Sequence, residues 1–341
     1  MQPHMTPLSR DNSVNKKSIA VYFSAILMLI SSLYALPATA QDYPSHPIKL
    51  VVPYAPGGGT DVAARALAEL MGKSLGQPII VENKGGGNTI LGTVAVVNAE
   101  PDGYTILYAT DANLVLNPLL YKNLPYDPER DLAPIGLLAD VVQMLAIAPS
   151  VPARTIAEFV QYAKKHPGEL AFGSAGLGGN GHLAAEMFIQ DFKIQMLPVP
   201  FRGTSPALTA ILSGTVQVYS GTVGPAMPHI LAGKMIPLGV FTAQRYSLLP
   251  DVPTIAESGM PGFESSLRVG LVAPAKTPPD IIKLLNKALN EALASPAFRE
   301  KLERNGYIAR RPDTPQAYAT ANQEVRKAWG QIIKSKNLSL D

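Results

Sequence analysis

Residues 53–61, Pro-Tyr-Ala-Pro-Gly-Gly-Gly-Thr-Asp, set three consecutive glycines between an apolar run and a stretch of helical periodicity. With no side chains over them, the amides of Gly57, Gly58 and Gly59 stay open, and a helix starting there adds the partial positive charge of its N-terminus. Such a loop binds an anion without any basic side chain. Thr60 and Asp61 are placed to cap the same helix. Taken alone, the segment fits a tight strand-to-helix turn equally well.

A second loop of the same chemistry spans 173–181, Gly-Ser-Ala-Gly-Leu-Gly-Gly-Asn-Gly, again between a predicted strand and a predicted helix. Ser174 and Asn180 add side-chain donors beside the amides of Gly176 and Gly178, and His182 follows as a helix N-terminal residue. Gly176, Gly178 and Gly181 also satisfy G-x-G-x-x-G, the fingerprint of a dinucleotide site. That fingerprint calls for an acidic residue about 20 positions further on, at the end of the next strand. Here the strand ends in Pro200-Phe201-Arg202. Arg202 would suit a 2′-phosphate, so an NADP-dependent oxidoreductase stands as the alternative to a plain anion cradle.

Two more segments fall at the ends of predicted strands, the edge where ligands of open α/β sheets gather. One holds Phe201, Arg202, Gly203 and Thr204, the other Ser220, Gly221 and Thr222. Arg202 reads as a carboxylate clamp or as a surface ion pair. Tyr54, Thr110 and Asn113 complete the candidate ligand set.

Catalytic constellations are missing from the sequence. Phe172 stands where G-x-S-x-G around Ser174 needs its first glycine, and the segment from Gly87 to Thr93 has the gap of a phosphate-binding loop without its lysine. His46, His166, His182 and His229 have no partner at metal-binding spacing, and there is no cysteine. The expectation is a binding protein with no catalytic residue, no cofactor and no metal.

The elements that must position these loops follow from periodicity. Strands are predicted over 48–52, 78–82 and 105–108, with helices over 63–75 and 91–98 between them. After Asp140 a second set begins: strands over 144–148, 170–173, 195–199 and 216–219 alternate with helices over 156–165, 182–191 and 205–212. Pro167-Gly168 stops the first of these helices. Beyond Phe263 a strand over 268–273 and helices over 279–293 and 315–334 return to the first set. The pattern predicts two α/β lobes with a ligand cleft between them, lobe 1 from 41–142 and 266–341, lobe 2 from 143–265.

Residues 1–40 read as a secretory signal peptide. Lys16 and Lys17 precede an apolar run over 19–33, and Ala38-Thr39-Ala40 offers the small residues of a cleavage site. An apolar run of about 15 residues falls short of the ~20 that span a bilayer. Cleavage after Ala40 is expected. The formal charge of +3 over the chain gives no footprint for nucleic acid or an anionic membrane.

Beyond single motifs, seven blocks stand in order: PYAPGGGTDVAAR from Pro53, VENKGGGN from Val81, PDGYT from Pro101, FGSAGLGGNGHLAAE from Phe172, PFRGTSPAL from Pro200, LLPDVPTIAESGMPGFE from Leu248 and GLVAPAKTP from Gly270. With them the sequence resembles the periplasmic receptors of tripartite tricarboxylate transporters, the Bug-type solute-binding proteins, over nearly all of 41–341. The resemblance implies a type II periplasmic-binding-protein fold, a small carboxylate ligand held by amides and waters, and membrane transporter subunits as partners. It places the loop matching Gly57 to Asp61 on one carboxylate from the first lobe and the loop matching Ser174 to Asn180 there from the second. A monomer is expected, and a sensor subunit for a membrane signalling partner is the second reading. Gly221 stands where many relatives carry Asp, and Arg268 where many carry Trp. These departures imply a ligand without an amine, one with a second acidic group.

Overall fold

The computed structural model describes residues 43–335, so the expected leader and its cleavage site lie outside the described residues. The chain opens with β1 (Ile48–Val52), α1 (Gly59–Leu75), β2 (Ile79–Asn83), α2 (Ile90–Val97) and β3 (Thr105–Thr110). A π-helical turn, Ala112–Leu116, then runs into α3 (Asn117–Leu120), and α4 (Pro128–Asp131) leads into β4 (Leu132–Val141). The middle of the chain gives β5 (Gln143–Ile147), α5 (Ile156–Lys165), β6 (Ala171–Ser174), α6 (Asn180–Phe192), β7 (Leu197–Pro200), α7 (Thr204–Leu212), β8 (Val218–Thr222), α8 (Val223–Leu231) and β9 (Ile236–Val240). It closes with β10 (Leu267–Pro274), α9 (Pro279–Ala294), α10 (Pro296–Arg304), β11 (Tyr307–Ala309) and α11 (Pro315–Ser335).

These strands form two sheets. The first has the order β11-β4-β10-β3-β1-β2, parallel from β2 to β3 and antiparallel from there outward. The second has the order β7-β6-β8-β5-β9, with β6 parallel to both neighbours and β5 antiparallel to β8 and β9. Central strands such as β5 (QMLAI) and β10 (LRVGLVAP) are buried at every position, as helices on both faces of a sheet require. Both edge strands of the second sheet carry proline, Pro198 and Pro200 in β7 and Pro237 in β9. A proline at an edge costs no internal ladder bond and blocks pairing with another chain.

Helix boundaries follow local chemistry. Thr155 caps α5 by accepting from the Glu158 amide, and Gly168, at φ 75°, turns the chain just beyond it. The helix predicted from residue 63 begins earlier, because Gly58 is its extended N-cap. Thr60 and Asp61 therefore lie inside the first turn of α1 and do not cap it.

The chain passes between the sheets twice. At the first passage only Val142 separates β4 from β5. Its amide donates to Gly306 O (2.8 Å) and its carbonyl accepts from Val223 N (2.9 Å), so one residue is tied to both lobes. The second passage lies between β9 and β10, where Phe241 N donates to Gln143 O and Ser265 N to Phe241 O. One apolar cluster runs through both lobes, from Val51, Leu107 and Trp329 to Phe159, Phe172 and Phe188. Among the described residues no helix is long and apolar enough to cross a membrane.

Candidate functional site

Both glycine loops open onto one chamber between the lobes. Tyr54, Thr60 and Asn88 line it from the first lobe. Ala175, Gly176, Gly179 to His182, Thr204 and Ser220 to Thr222 line it from the second, and Gln143 and Leu267 do so at the two passages.

Four helices begin at this chamber: α1, α6, α7 and α8, with N-caps Gly58, Gly179, Gly203 and Thr222. None of the four has a side-chain cap. Elsewhere Asp127, Thr155 and Ser295 cap α4, α5 and α10 with their side chains, while α2 and α9 also go without a side-chain cap. The first helical bond of α1 runs from Val62 N to Gly58 O, and that of α6 from Leu183 N to Gly179 O. Amides before those points have no partner within their helix, and the helix dipole adds positive potential at the same place. Helix N-termini that converge in this way can hold an anion through backbone amides.

The glycines are needed for contact as well as for open amides. A Cβ on Gly181 would lie 2.5 Å from Ser220 O, and Ser220 Oγ already donates to Gly181 O at 2.6 Å, so α6 starts pressed against the end of β8. Gly203 has φ 119°, a conformation that favours glycine, and delivers α7 to the chamber. Across the cleft a methyl on Gly176 would meet Asn88 Oδ1 at 3.1 Å, so the lobes face each other closely here.

Not every predicted residue reaches the chamber. Tyr54, Thr60, Gly176, Asn180, Thr204, Gly221 and Thr222 line it. Arg202 and Gly203 line the adjoining mouth, together with Pro53, Gly86, Gly87 and Leu177. Thr110 and Asn113 stand behind Tyr54: Tyr54 Oη and Thr110 Oγ1 are 3.0 Å apart, Thr110 Oγ1 donates to Asn113 Oδ1, and Asn113 Nδ2 donates to Thr93 Oγ1 at 2.7 Å. That buried chain fixes the Tyr54 hydroxyl at the chamber wall. Asp61 turns back instead, accepting from Gly57 N (3.0 Å) and Arg65 Nε (3.1 Å) through Oδ2. Burial opposes its charge, but the hydrogen bonds from Arg65 and Gly57 prevail and hold its carboxyl below the ordinary range. Ser174 Oγ stays within its own loop, on Gly176 O. Gly57, Gly58, Gly59 and Gly178 are not among the lining residues, and contrary to the open amides expected from the sequence, Gly57 N donates to Asp61 and Gly178 N to His182.

Ser220 lines the chamber as its segment predicted, and Asn88, Gln143, His182 and Leu267 do so without having been expected as ligand residues from the sequence. His182 Nδ1 accepts from Gly178 N at 3.1 Å, the ring stacks on Phe172, and burial lowers its pKa to about 4. It is a neutral imidazole that holds the second glycine loop in shape. A separate cavity of about 190 Å³ lies behind the first sheet, between Leu114, Leu132, Val272 and the Glu129–Arg326 ion pair, and neither glycine loop reaches it.

Compared with known proteins, residues 63–338 match the tripartite tricarboxylate transporter family receptor. The chain belongs to that family. It is thus a receptor and not an enzyme, as the absent constellations predicted. Its fold is that of solved receptors. The periplasmic binding protein BugD is 34% identical, with a TM-score of 0.83 over 87% of this chain and 99% of its own. A Rhodopseudomonas palustris protein solved with adipate is 31% identical, with a TM-score of 0.84 over 87% and 99%. MatC of the same organism, solved with bound malate, is 32% identical, with a TM-score of 0.81 over 85% and 100%. These neighbours bear out the two-lobed α/β receptor fold expected from the sequence.

Proposed function

We propose that this family member is a periplasmic receptor that captures a small organic carboxylate between its lobes and delivers it to membrane subunits of a tripartite tricarboxylate-type transporter. The observation that carries the reading is the convergence of four helix N-termini without side-chain caps on one inter-lobe chamber. The relatives solved with adipate and malate support a carboxylate as the anion. The signal-like segment over 1–40 and the periplasmic relative support export, with cleavage after Ala40.

In this reading lobe 1 comprises 41–142 and 266–341, and lobe 2 comprises 143–265. The protein works as a monomer, presenting both lobes to the transporter. Tyr54, Thr60, Gly176, Asn180, Thr204, Gly221 and Thr222 contact the ligand, and Arg202 and Gly203 guard the mouth. Because the ligand touches both lobes, it favours the closed state by its differential affinity for that state.

A thermal-shift panel of purified, refolded 41–341 tests the reading with dicarboxylates, tricarboxylates, aromatic acids, amino acids and NADP. A ligand that binds only the native state at 100 times its Kd adds about 2.7 kcal/mol. Stabilisation by one class of carboxylate, with a smaller radius of gyration in X-ray scattering, is the expected result. Stabilisation by NADP alone would replace the receptor with the dinucleotide reading.

A further inference from the structure

The chamber holds buried polar atoms that the protein does not satisfy. Gln143, Asn180 and Thr222 expose 4%, 3% and 6% of their surface, and among the described residues Gln143 Oε1, Asn180 Oδ1 and Thr222 Oγ1 have no hydrogen-bond partner. All three residues line the chamber. Buried polar groups are nearly always paired, and each one left unmade carries a penalty, so three orphans in one chamber mark what the occupant must supply.

The orientation of the Asn180 and Asn88 amides gives the sign of that demand. Asn180 Nδ2 donates to Ser266 O, which leaves Oδ1 as the free end. Asn88 Nδ2 donates to Asn117 Oδ1 at 2.7 Å, which leaves its Oδ1 facing Gly176 across the cleft. Amide oxygens only accept. They offer nothing to a carboxylate, which belongs at the helix N-termini, and call for a donor elsewhere on the same molecule.

That donor is a hydroxyl or an ammonium group, and the lining decides between them. Among the described residues no Asp or Glu lines the chamber, and the nearby Asp61 is committed to Gly57 and Arg65. An ammonium group buried among neutral dipoles would lack a counter-charge and carry a large desolvation cost. A hydroxyl is neutral, donates once to an amide oxygen, and can also accept from Thr222 Oγ1.

We infer that the ligand is a hydroxylated carboxylate, whose hydroxyl donates to the buried Gln143 Oε1 and accepts from Thr222 Oγ1. The inference rests on the carboxylate-receptor reading and names its substrate class.

Calorimetric titration of the 41–341 protein with matched acids tests it: propanoate, lactate and alanine; succinate, malate and aspartate; phenylacetate, mandelate and phenylglycine. In the series that binds, the hydroxy acid is expected to bind about tenfold or more tightly than its deoxy analogue, with the amino acid weakest. Gln143→Met and Thr222→Val should each erase most of that preference, with the hydroxy acid's affinity falling toward that of its deoxy analogue. A deoxy acid that binds as tightly as its hydroxy partner overturns the hydroxyl assignment and leaves the carboxylate receptor intact. An amino acid that binds tightest overturns it as well. If none of the three series binds and no carboxylate in the thermal-shift panel stabilises the protein, the receptor reading fails with it.

Discussion

Arg268 Nη2 lies 2.7 Å from Asp111 Oδ1, with both side chains buried, and the pair ties the start of β10 to the turn that follows β3. The Arg268 amide also donates to Asp111 Oδ2, and Nη1 donates to Ala321 O on α11. Arg268 is therefore a strut joining three elements of the first lobe, while its neighbour Leu267 lines the chamber. The departure at this position bears on framework packing and supplies no charge to the ligand. Removing one partner strands the other in an apolar setting, so Arg268→Met or Asp111→Asn should cost about 3–5 kcal/mol in urea unfolding. The pair Arg268→Met with Asp111→Leu should recover much of that loss. If each single variant unfolds within about 1 kcal/mol of the parent, the strut is not structural.

The lobes meet backbone to backbone at one edge, the pivot expected of a closing cleft. A Cβ on Gly224 of α8 would lie 1.7 Å from Asn305 O, at the end of α10 in the other lobe. No side-chain rotation relieves a clash with a carbonyl, so Gly224→Ala must splay the two lobes at this edge. The expected loss is about 1–3 kcal/mol or more. Scattering of the unliganded variant should give a radius of gyration different from the parent's, and an unchanged radius with unchanged stability would remove Gly224 from the pivot.

Much of this architecture is legible in the residues, and what is missed has a physical cause. The strand β5 and the helix α5 declare themselves through a continuous apolar run, the Thr155 cap and the Pro167-Gly168 stop. The strand β4 does not, because Pro134 and Gly136 punctuate it and its partner β10 lies far along the chain. Its ladder absorbs them through register shifts at Val269/Gly270 and Leu271/Val272. Pro225 and Pro228 hide α8 in the same way, whereas Ser295-Pro296 is a local start signal for α10.

The site divides along the same line. The two glycine loops are legible because amide exposure and helix starts are local. Gln143 is placed by the passage between lobes, and His182 matters through its bond to Gly178, so neither role follows from neighbours in sequence. A polar residue heading the otherwise apolar QMLAI strand was the one signal that pointed to Gln143.

Arg202 stands exposed beside the chamber's mouth, next to Gly203. A screened surface charge steers an anion more than it holds one. Arg202→Gln should therefore slow ligand association about two- to fivefold at low salt, more for dicarboxylates than for monocarboxylates. Stopped-flow fluorescence at rising salt would check this, since the parent and variant rates should converge near about 0.5 M. Rates that stay apart at high salt would mean a direct contact with the ligand.

His182 makes stability depend on acid. Its folded pKa is about 4, lowered by burial, against about 6.5 in an unfolded chain. Between those values the unfolded state takes up a proton that the folded state refuses, so stability should fall as pH drops from about 6.5 to about 4, by up to about 3 kcal/mol. Glu186, whose carboxyl is raised by burial, acts in the opposite sense, and a variant is needed to separate the two. His182→Asn keeps an acceptor for the Gly178 amide without a titrating ring. Urea midpoints at pH 7 and pH 4.5 should drop further in the parent than in the variant. Parallel drops would show that protonation of His182 does not drive the acid transition.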